Sequence, residues 1–311
     1  MKVLYIMGAG HIGSTIVDIV LGSHGHMESL GELSKFHRAG WTPEGSRVCS
    51  CGSPVYECPF WSQVRRCWSE LTGCTDGREA VRLQDAFENS TLAWPQLLWQ
   101  SRLRTPKFRR YMDLTAALYQ SIQEVGGKVV LVESSLTPRR AYALAMNPAI
   151  DLHLIHMVRD GRGVIWSLMK PGKQALISKK YVPAPPSQTS RYWVSANLQS
   201  SWVFRQVPAA KRMLMRYEDF VLDPASVVTR IGSFIGEDLA GVMNGSEVAN
   251  SSPVRHTVGG NRIRMQKDIR IRADFAWMGN LTEKDQRTFW RTAGWLARRF
   301  GYRQDQTDYA A

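Results

Sequence analysis

Residues 3–21 begin Val3-Leu4-Tyr5-Ile6-Met7 and continue Gly8-Ala9-Gly10-His11-Ile12-Gly13-Ser14-Thr15; Ile16, Val17, Ile19, Val20 and Leu21 follow. Five apolar residues rich in strand formers stop at a glycine, and the later apolar residues recur at spacings that give a helix one apolar face. The stretch is therefore a strand, a glycine loop and a helix. Glycines let the backbone turn tightly, and successive N–H groups at the helix start then point at an anion. The loop matches the phosphate-loop pattern G-x-x-x-x-G-K-[ST] except that Ser14 stands in place of the lysine. That lysine serves the β- and γ-phosphates of a nucleoside triphosphate, so its loss argues against a kinase or NTPase and for an anion of another shape. A plain strand–helix turn would leave a similar trace; the position directly after the first strand favours a phosphate cradle.

Outward from this loop, Lys128–Glu133, Leu152–Val158 and Arg212–Arg216 carry further buried-strand signals. Helical patterns cover roughly 61–72, 78–98, 108–124, 138–146, 161–170, 188–206, 224–236 and 282–299. Strands alternating with helices predict an α/β fold: a P-loop-like parallel sheet flanked by helices, with the ligand at the C-terminal strand ends. We expect one domain over 1–311, with an irregular cysteine-containing insertion at 34–60, a lid loop at 171–190 and a basic segment at 254–280. No apolar run approaches the roughly 18 residues of a membrane span, and the N-terminal run breaks into glycines too early for a signal peptide, which predicts a cytoplasmic protein. The sequence specifies no oligomeric state.

Forty Lys+Arg against 27 Asp+Glu give a formal net charge of +13, which points to polyanionic partners. Among these, nucleic acid has a case in the arginines near Trp94, Trp99, Phe108 and Tyr111, but no nucleic-acid module is recognisable and none is expected to bind. A nucleotide kinase drawing a lysine from elsewhere, such as Lys173, is the competing enzyme reading. The five cysteines, Cys49, Cys51, Cys58, Cys67 and Cys74, lie in one short stretch. Cys49, Cys51 and Cys58, with Cys67 or His37 as a fourth ligand, offer a zinc set; their C-x-C-x6-C spacing departs from paired C-x2-C knuckles, so free thiols or a local disulfide are favoured and no metal is expected.

Val158-Arg159-Asp160-Gly161-Arg162-Gly163 ends the third of these strands, and Ser167 lies about two helical turns on. An arginine and a hydroxyl at that edge suit a second phosphate, against the alternative of a solvated helix start carrying weak surface ion pairs. Two anion sites together suggest a nucleotide with anionic groups at both ends.

Here the chain resembles the sulfotransferases that use 3′-phosphoadenosine 5′-phosphosulfate (PAPS), in their bacterial branch. The 8–15 loop followed by Gly31-Glu32-Leu33 is similar to the 5′-phosphosulfate loop and first crossover. Val158–Leu168 resembles the 3′-phosphate segment, which implies that Arg159 and Ser167 bind that phosphate. Arg216-Tyr217-Glu218-Asp219-Phe220 with Asp223-Pro224 resembles the segment whose tyrosine lies near the adenine. Gly260-Asn261-Arg262-Ile263-Arg264 resembles the segment that closes over the cofactor, and residues 49–61 are similar to a cysteine-containing stretch of the branch. The similarity runs in order from residue 3 to about 302. Three positions depart from the pattern: His11 replaces Arg or Lys, Leu136 replaces a lysine, and Arg262 replaces a proline.

The resemblance implies sulfuryl transfer from PAPS to a hydroxyl or amine of a small-molecule or carbohydrate acceptor, releasing adenosine 3′,5′-bisphosphate. Such a reaction needs a base, donors on the leaving phosphate, and alignment of the two reactants. Glu32 is the candidate base, unless it merely pairs with Lys35 or Arg38; Glu133 is the alternative. His11 is the candidate electrophile, beside the N–H groups of Gly13, Ser14 and Thr15, and no metal is required. Gly8, Gly10, Ile12, Tyr217, Gly260, Asn261, Arg262 and Arg264 complete the expected nucleotide contacts. A nucleotide of this kind carries about four negative charges, in keeping with the basic total. Basic runs at Arg102–Arg110 and Arg262–Arg272 either add to that field or are solvated faces. Trp61, Trp94 and Trp99 suggest a ring-bearing acceptor, or simply core.

Overall fold

The computed structural model describes residues 1–41, 47–170, 183–248, 255–266, 268–306 and 309. Lys2–Met7 forms strand β1, and from Val3 to Met7 its side chains are fully buried. β1 pairs in parallel with Val130–Leu136 (β3) on one side and Asp151–Val158 (β4) on the other. Met27–Gly31 (β2) flanks β3, and Arg212–Arg216 (β5) flanks β4. The result is a five-stranded parallel sheet of order β2-β3-β1-β4-β5.

Both faces of this sheet are covered, which is why its central strands are almost continuously apolar. Leu4, Ile6, Val130, Val132, Ile155 and Met157 point into one core, with the first helix Ser14–Leu21 (α1) and helices Pro224–Ile235 and Glu283–Arg299. Val3, Tyr5, Leu131, Leu152 and Leu154 point into the other, with helices Pro59–Thr72, Pro106–Gly126 and Pro138–Ala145. Among the described residues, no helix is long and apolar enough to cross a membrane.

The chain leaves β1 toward β2, returns through β3, and then crosses to β4 on the far side of β1. Connections thus diverge from the C-terminal ends of β1 and β4, and ligands of open parallel sheets bind in the crevice this opens.

Three expectations need correction. β2 is a strand the apolar pattern does not announce, because Glu28 and Ser29 interrupt it. The single helix expected over 78–98 is broken: Arg78–Gln84 runs into a π turn at Asp85–Asn89, and a new helix starts at Ala93. At the break Ser90 Oγ accepts from the Leu92 N–H, the kind of local bond that competes with a helical ladder. Finally, residues 186–190 of the expected lid belong to helix Pro186–Gln206, while 171–182, Lys173 included, lie outside the described residues.

Candidate nucleotide site

The glycine loop turns at the C-terminal end of β1. Gly13 has φ 87°, and a Cβ there would lie 2.7 Å from the Tyr217 ring, so only glycine serves. Ile12 is buried and anchors the underside of the loop, while His11 is exposed at its crest with φ 66°. Histidine is among the few residue types enriched in that left-handed region. The Gly10 N–H donates to the Tyr192 hydroxyl at 2.7 Å; the sequence reading did not identify Tyr192. Gly13, the N-cap of α1, offers no side-chain cap to the first turn, where Ser14 is buried and Thr15 half-buried. Helix Gly161–Met169 differs, since Asp160 accepts from the Arg162 N–H at its start. Of these two helix starts at the sheet edge, α1 is the one with no side-chain cap over its first N–H groups.

Arg159 and Asp160 are buried, which overturns the reading of a solvated helix start. Arg159 donates from Nη1 to the His11 carbonyl (3.1 Å) and from Nη2 to the Asp274 carbonyl (2.7 Å), and its guanidinium lies 4.2 Å from the centre of the Tyr217 ring. Tyr217 therefore sits between Gly13 and Arg159, its hydroxyl accepting from the Asp274 N–H (3.1 Å). Asp274 is a further residue the motifs did not identify. Its carboxylate faces Arg159 at 3.5 Å and Lys170 at 3.4 Å; although burial opposes ionisation, these cations hold the group below the usual carboxylate range. Ser167 is buried on helix Gly161–Met169. Asp160 and Arg162 serve the scaffold: they pair at 2.8 Å, and Arg162 binds the carbonyls of Arg303 and Gln304 while lying over Trp277.

The segment after residue 255 lies along the edge of β2. Val258 bridges in parallel to Gly31, and its carbonyl accepts from the Glu32 N–H. Successive residues then meet different parts of the site. Thr257 Oγ1 is 3.1 Å from Ser29 Oγ, and a Cβ at Gly259 would lie 2.9 Å from a Glu32 carboxylate oxygen. The Asn261 N–H donates to Thr15 Oγ1 at 3.2 Å, beside Gly260. Glu32 pairs with Lys35, one of the two partners foreseen for it, while Arg38 pairs with Asp85 instead. Burial, reinforced by Arg47 and Arg264, brings the Lys35 ammonium down to about 8. Arg262 is exposed, and Arg264 donates to the carbonyls of Gly260 (2.9 Å) and Val48 (3.0 Å), tying this segment to the cysteine-containing insertion.

Glu133 is not placed as an alternative base. It is fully buried, bound by Arg140 Nε at 2.6 Å and by Tyr119 and Ser135, in a network that reaches Glu88. Asp18 of α1 is another buried carboxyl beyond the sequence reading. Ser29 and Ser134 donate to it at 2.6 and 2.5 Å, yet burial dominates and raises it to about 7.

Neither fourth ligand proposed for the cysteines is near them. Cys67 donates to Glu124 at 2.9 Å, and His37 is buried against Phe36, Trp41 and Trp68, where burial lowers it to about 3. Cys58 instead lies 3.2 Å from His256 Nδ1. The hydrogen bond from Cys49 holds the Cys58 thiol well below its usual range, with burial opposing and His256 assisting. Of the tryptophans, Trp61 is core, Trp94 borders an open apolar pocket with Leu98, Leu198 and Trp202, and Trp99 is exposed.

A glycine loop opening an uncapped helix, at the switch point of a parallel sheet and with a buried arginine behind it, defines a P-loop-like α/β fold with a candidate anion site at its strand ends. The chain belongs to the Sulfotransferase family, whose model matches residues 4–241. Carbohydrate sulfotransferase 4 of Mus musculus is 29% identical over an alignment 126 residues long that covers 36% of this chain and 32% of the mouse protein. The chain thus spans about a third of that relative's length. The sulfotransferase domain from the Synechococcus PCC 7002 olefin synthase superposes with a TM-score of 0.52 at 20% identity, over 97% of this chain and 95% of that one. The sulfotransferase domain from the curacin biosynthetic pathway gives 0.50 at 14% identity, over 97% and 98%. At such identities the likeness is one of fold.

Proposed function

We propose that the protein transfers a sulfuryl group from PAPS to a hydroxyl or amine of a small-molecule or carbohydrate acceptor. The observation that carries this reading is the 257–261 segment, which packs Gly259 on Glu32 and hydrogen-bonds Asn261 to Thr15, so that a carboxylate and the phosphate loop share one edge. The residues fit a nucleotide with two anionic ends: the first turn of α1 has no side-chain cap, and Arg159 stands at the neighbouring strand end. When bound, PAPS supplies the sulfuryl group and a phosphate leaving group.

The chain's own residues divide the remaining work. Backbone N–H groups of Gly13, Ser14 and Thr15, with Gly8, Gly10 and Ile12 shaping the loop, receive the 5′ end, and the His11 imidazole donates to the leaving oxygen. Arg159 and Ser167 would hold the 3′-phosphate, Tyr217 would meet the adenine, and Gly260, Asn261, Arg262 and Arg264 would form the closing segment. Glu32 takes the acceptor's proton on its carboxylate, with Lys35 beside it to orient the group. The name of the mouse relative favours a carbohydrate acceptor.

Calorimetric titration with adenosine 3′,5′-bisphosphate, with and without Mg²⁺ and with ATP for comparison, tests the nucleotide. We expect metal-independent binding, weakened about 10- to 100-fold in Arg159→Ala, as losing a charge-assisted pair of about 1.5–3 kcal/mol implies. Glu32→Gln should leave that binding intact and slow transfer by about 10²–10⁴. Mg²⁺-dependent binding of ATP in place of the bisphosphate would overturn the reading. Full activity in Glu32→Gln would remove Glu32 as the base.

A further inference from the structure

The cysteine-containing insertion and the closing segment meet at four potential ligand atoms. The sulfurs of Cys49, Cys51 and Cys58 and a ring nitrogen of His256 all lie within 4.8 Å of one another. Cys51 and Cys58 are 3.6 Å apart, far beyond the roughly 2.05 Å of a disulfide, and among the described residues all five cysteines are free. His256 Nδ1 is 3.2 Å from Cys58 Sγ and 3.7 Å from Cys49 Sγ. A tetrahedral ion with Zn–S near 2.3 Å and Zn–N near 2.0 Å sets sulfurs about 3.8 Å apart and sulfur and nitrogen about 3.5 Å apart. The Cys51–Cys58, Cys58–His256 and Cys49–His256 separations are close to these, and no pair of the four exceeds 4.8 Å.

The surroundings hold this arrangement independently of any ion. Cys49 and Cys51 flank Ser50 in a tight turn, where the Gly52 N–H returns to the Cys49 carbonyl at 2.9 Å. Cys58 is the N-cap of helix Pro59–Thr72, a position that favours thiolate. The His256 ring stacks on Phe60 (4.8 Å, 5° between planes), and its carbonyl accepts from Trp61 Nε1 at 2.8 Å. Ser50 Oγ donates to the Arg255 carbonyl and accepts from the Thr257 N–H, at 2.6 and 2.8 Å. The backbone on both sides of the histidine is thus held, and stacking on Phe60 fixes its ring.

We propose that Cys49, Cys51, Cys58 and His256 bind one Zn²⁺. Three thiolates and an imidazole complete a tetrahedron and leave no open position, so the ion is structural rather than catalytic. Its role follows from what it joins: the insertion, and a segment whose next residues reach Ser29, Glu32 and Thr15. The ion pins the closing segment at the sheet edge. The sequence offers the three cysteines but not the fourth ligand, because the histidine stands 198 residues beyond Cys58.

The test is metal content and spectroscopy, and it needs no sulfotransferase activity. Reduced protein, stripped of metal and titrated anaerobically with Co²⁺, should take up about one ion per chain, with the visible d–d bands and thiolate charge-transfer absorption of a tetrahedral site built from three thiolates and one imidazole. Zn²⁺ should displace it and should raise the melting temperature. Cys58→Ser and His256→Ala should each lose the bands, whereas His256→Cys, which completes a set of four thiolates, should keep a tetrahedral spectrum with stronger charge transfer. Absence of stoichiometric uptake by the reduced wild-type chain overturns the proposal. Unchanged bands in folded Cys58→Ser or His256→Ala, or none in folded His256→Cys, overturn it as well.

Discussion

His11 carries two constraints at once. Its carbonyl receives Arg159, so its backbone couples the glycine loop to the strand-end arginine, while its exposed side chain stands at the loop crest in a left-handed conformation. The backbone role is independent of the side chain, which makes substitution informative. An imidazole carries charge only when protonated, whereas a guanidinium carries it at every working pH. We expect His11→Arg to raise the turnover number about tenfold, a gain of about 1.4 kcal/mol in transition-state stabilisation, most clearly at alkaline pH, and His11→Ala to lower it. Rate–pH profiles of the two variants check this; a faster His11→Ala enzyme would assign the leaving-group contact to other donors. The local motifs made His11, Arg159 and Glu32 legible: the first two stand just after strand signals, and Glu32 stands in Gly31-Glu32-Leu33. Tyr192 and Asp274 were not legible. Each meets the site from more than 100 residues away, 182 for the Gly10–Tyr192 bond and 115 for Arg159–Asp274, and neither stands in a pattern of its own.

At the scale of elements, the edge of β2 decides how the site is assembled. Strands β1, β3 and β4 were readable as apolar runs because both of their faces are buried. β2 breaks that rule: Ser29 points inward to Asp18, and Glu28 interrupts the run, so this short strand carrying polar groups gives no apolar signal. The segment pairing with it was legible only through its family-like glycines, and Gly259 shows why a glycine is needed. At φ 72°, with a Cβ that would lie 2.9 Å from the Glu32 carboxylate and 3.0 Å from its Cβ, any side chain strains the backbone and displaces Glu32. Gly259→Ala should therefore cost about 1–2 kcal/mol of stability and lower turnover at least tenfold, while affinity for adenosine 3′,5′-bisphosphate changes less than threefold. Calorimetry and steady-state rates on the same preparation separate the two effects. A loss of nucleotide affinity as large as the loss of turnover would mean that Gly259 serves the phosphate loop, not the carboxylate.

At the scale of the molecule, the apolar sheet is crossed by a few buried carboxyl groups, and these link stability to pH. Asp18 is the centre of one crossing: α1 supplies the carboxyl, β2 supplies Ser29, β3 supplies Ser134, and Thr257 of the closing segment touches Ser29. Two serine hydroxyls and the Gly31 backbone replace water there, but burial outweighs them and raises the group from 3.8 to about 7. Glu218, buried between the Asp160 N–H and Tyr302, is likewise raised to about 7, mainly by burial. The sign follows from linkage. A carboxyl whose pKa is higher folded than unfolded binds more protons in the native state. Its contribution is full below about pH 4 and is lost as pH rises to about 7. A rise from 3.8 to about 7 corresponds to about 4 kcal/mol as an upper bound. Asn at position 18 cannot ionise, so relative to wild type Asp18→Asn should gain about 2–4 kcal/mol between pH 4 and pH 8, on top of a constant offset from the altered hydrogen bonds. Urea unfolding of both proteins across that range measures the difference directly, and other titrating groups, Glu218 included, cancel in it. A pH-independent difference would show that Asp18 keeps an ordinary carboxyl pKa, and its three-element junction would then be ionised at neutral pH.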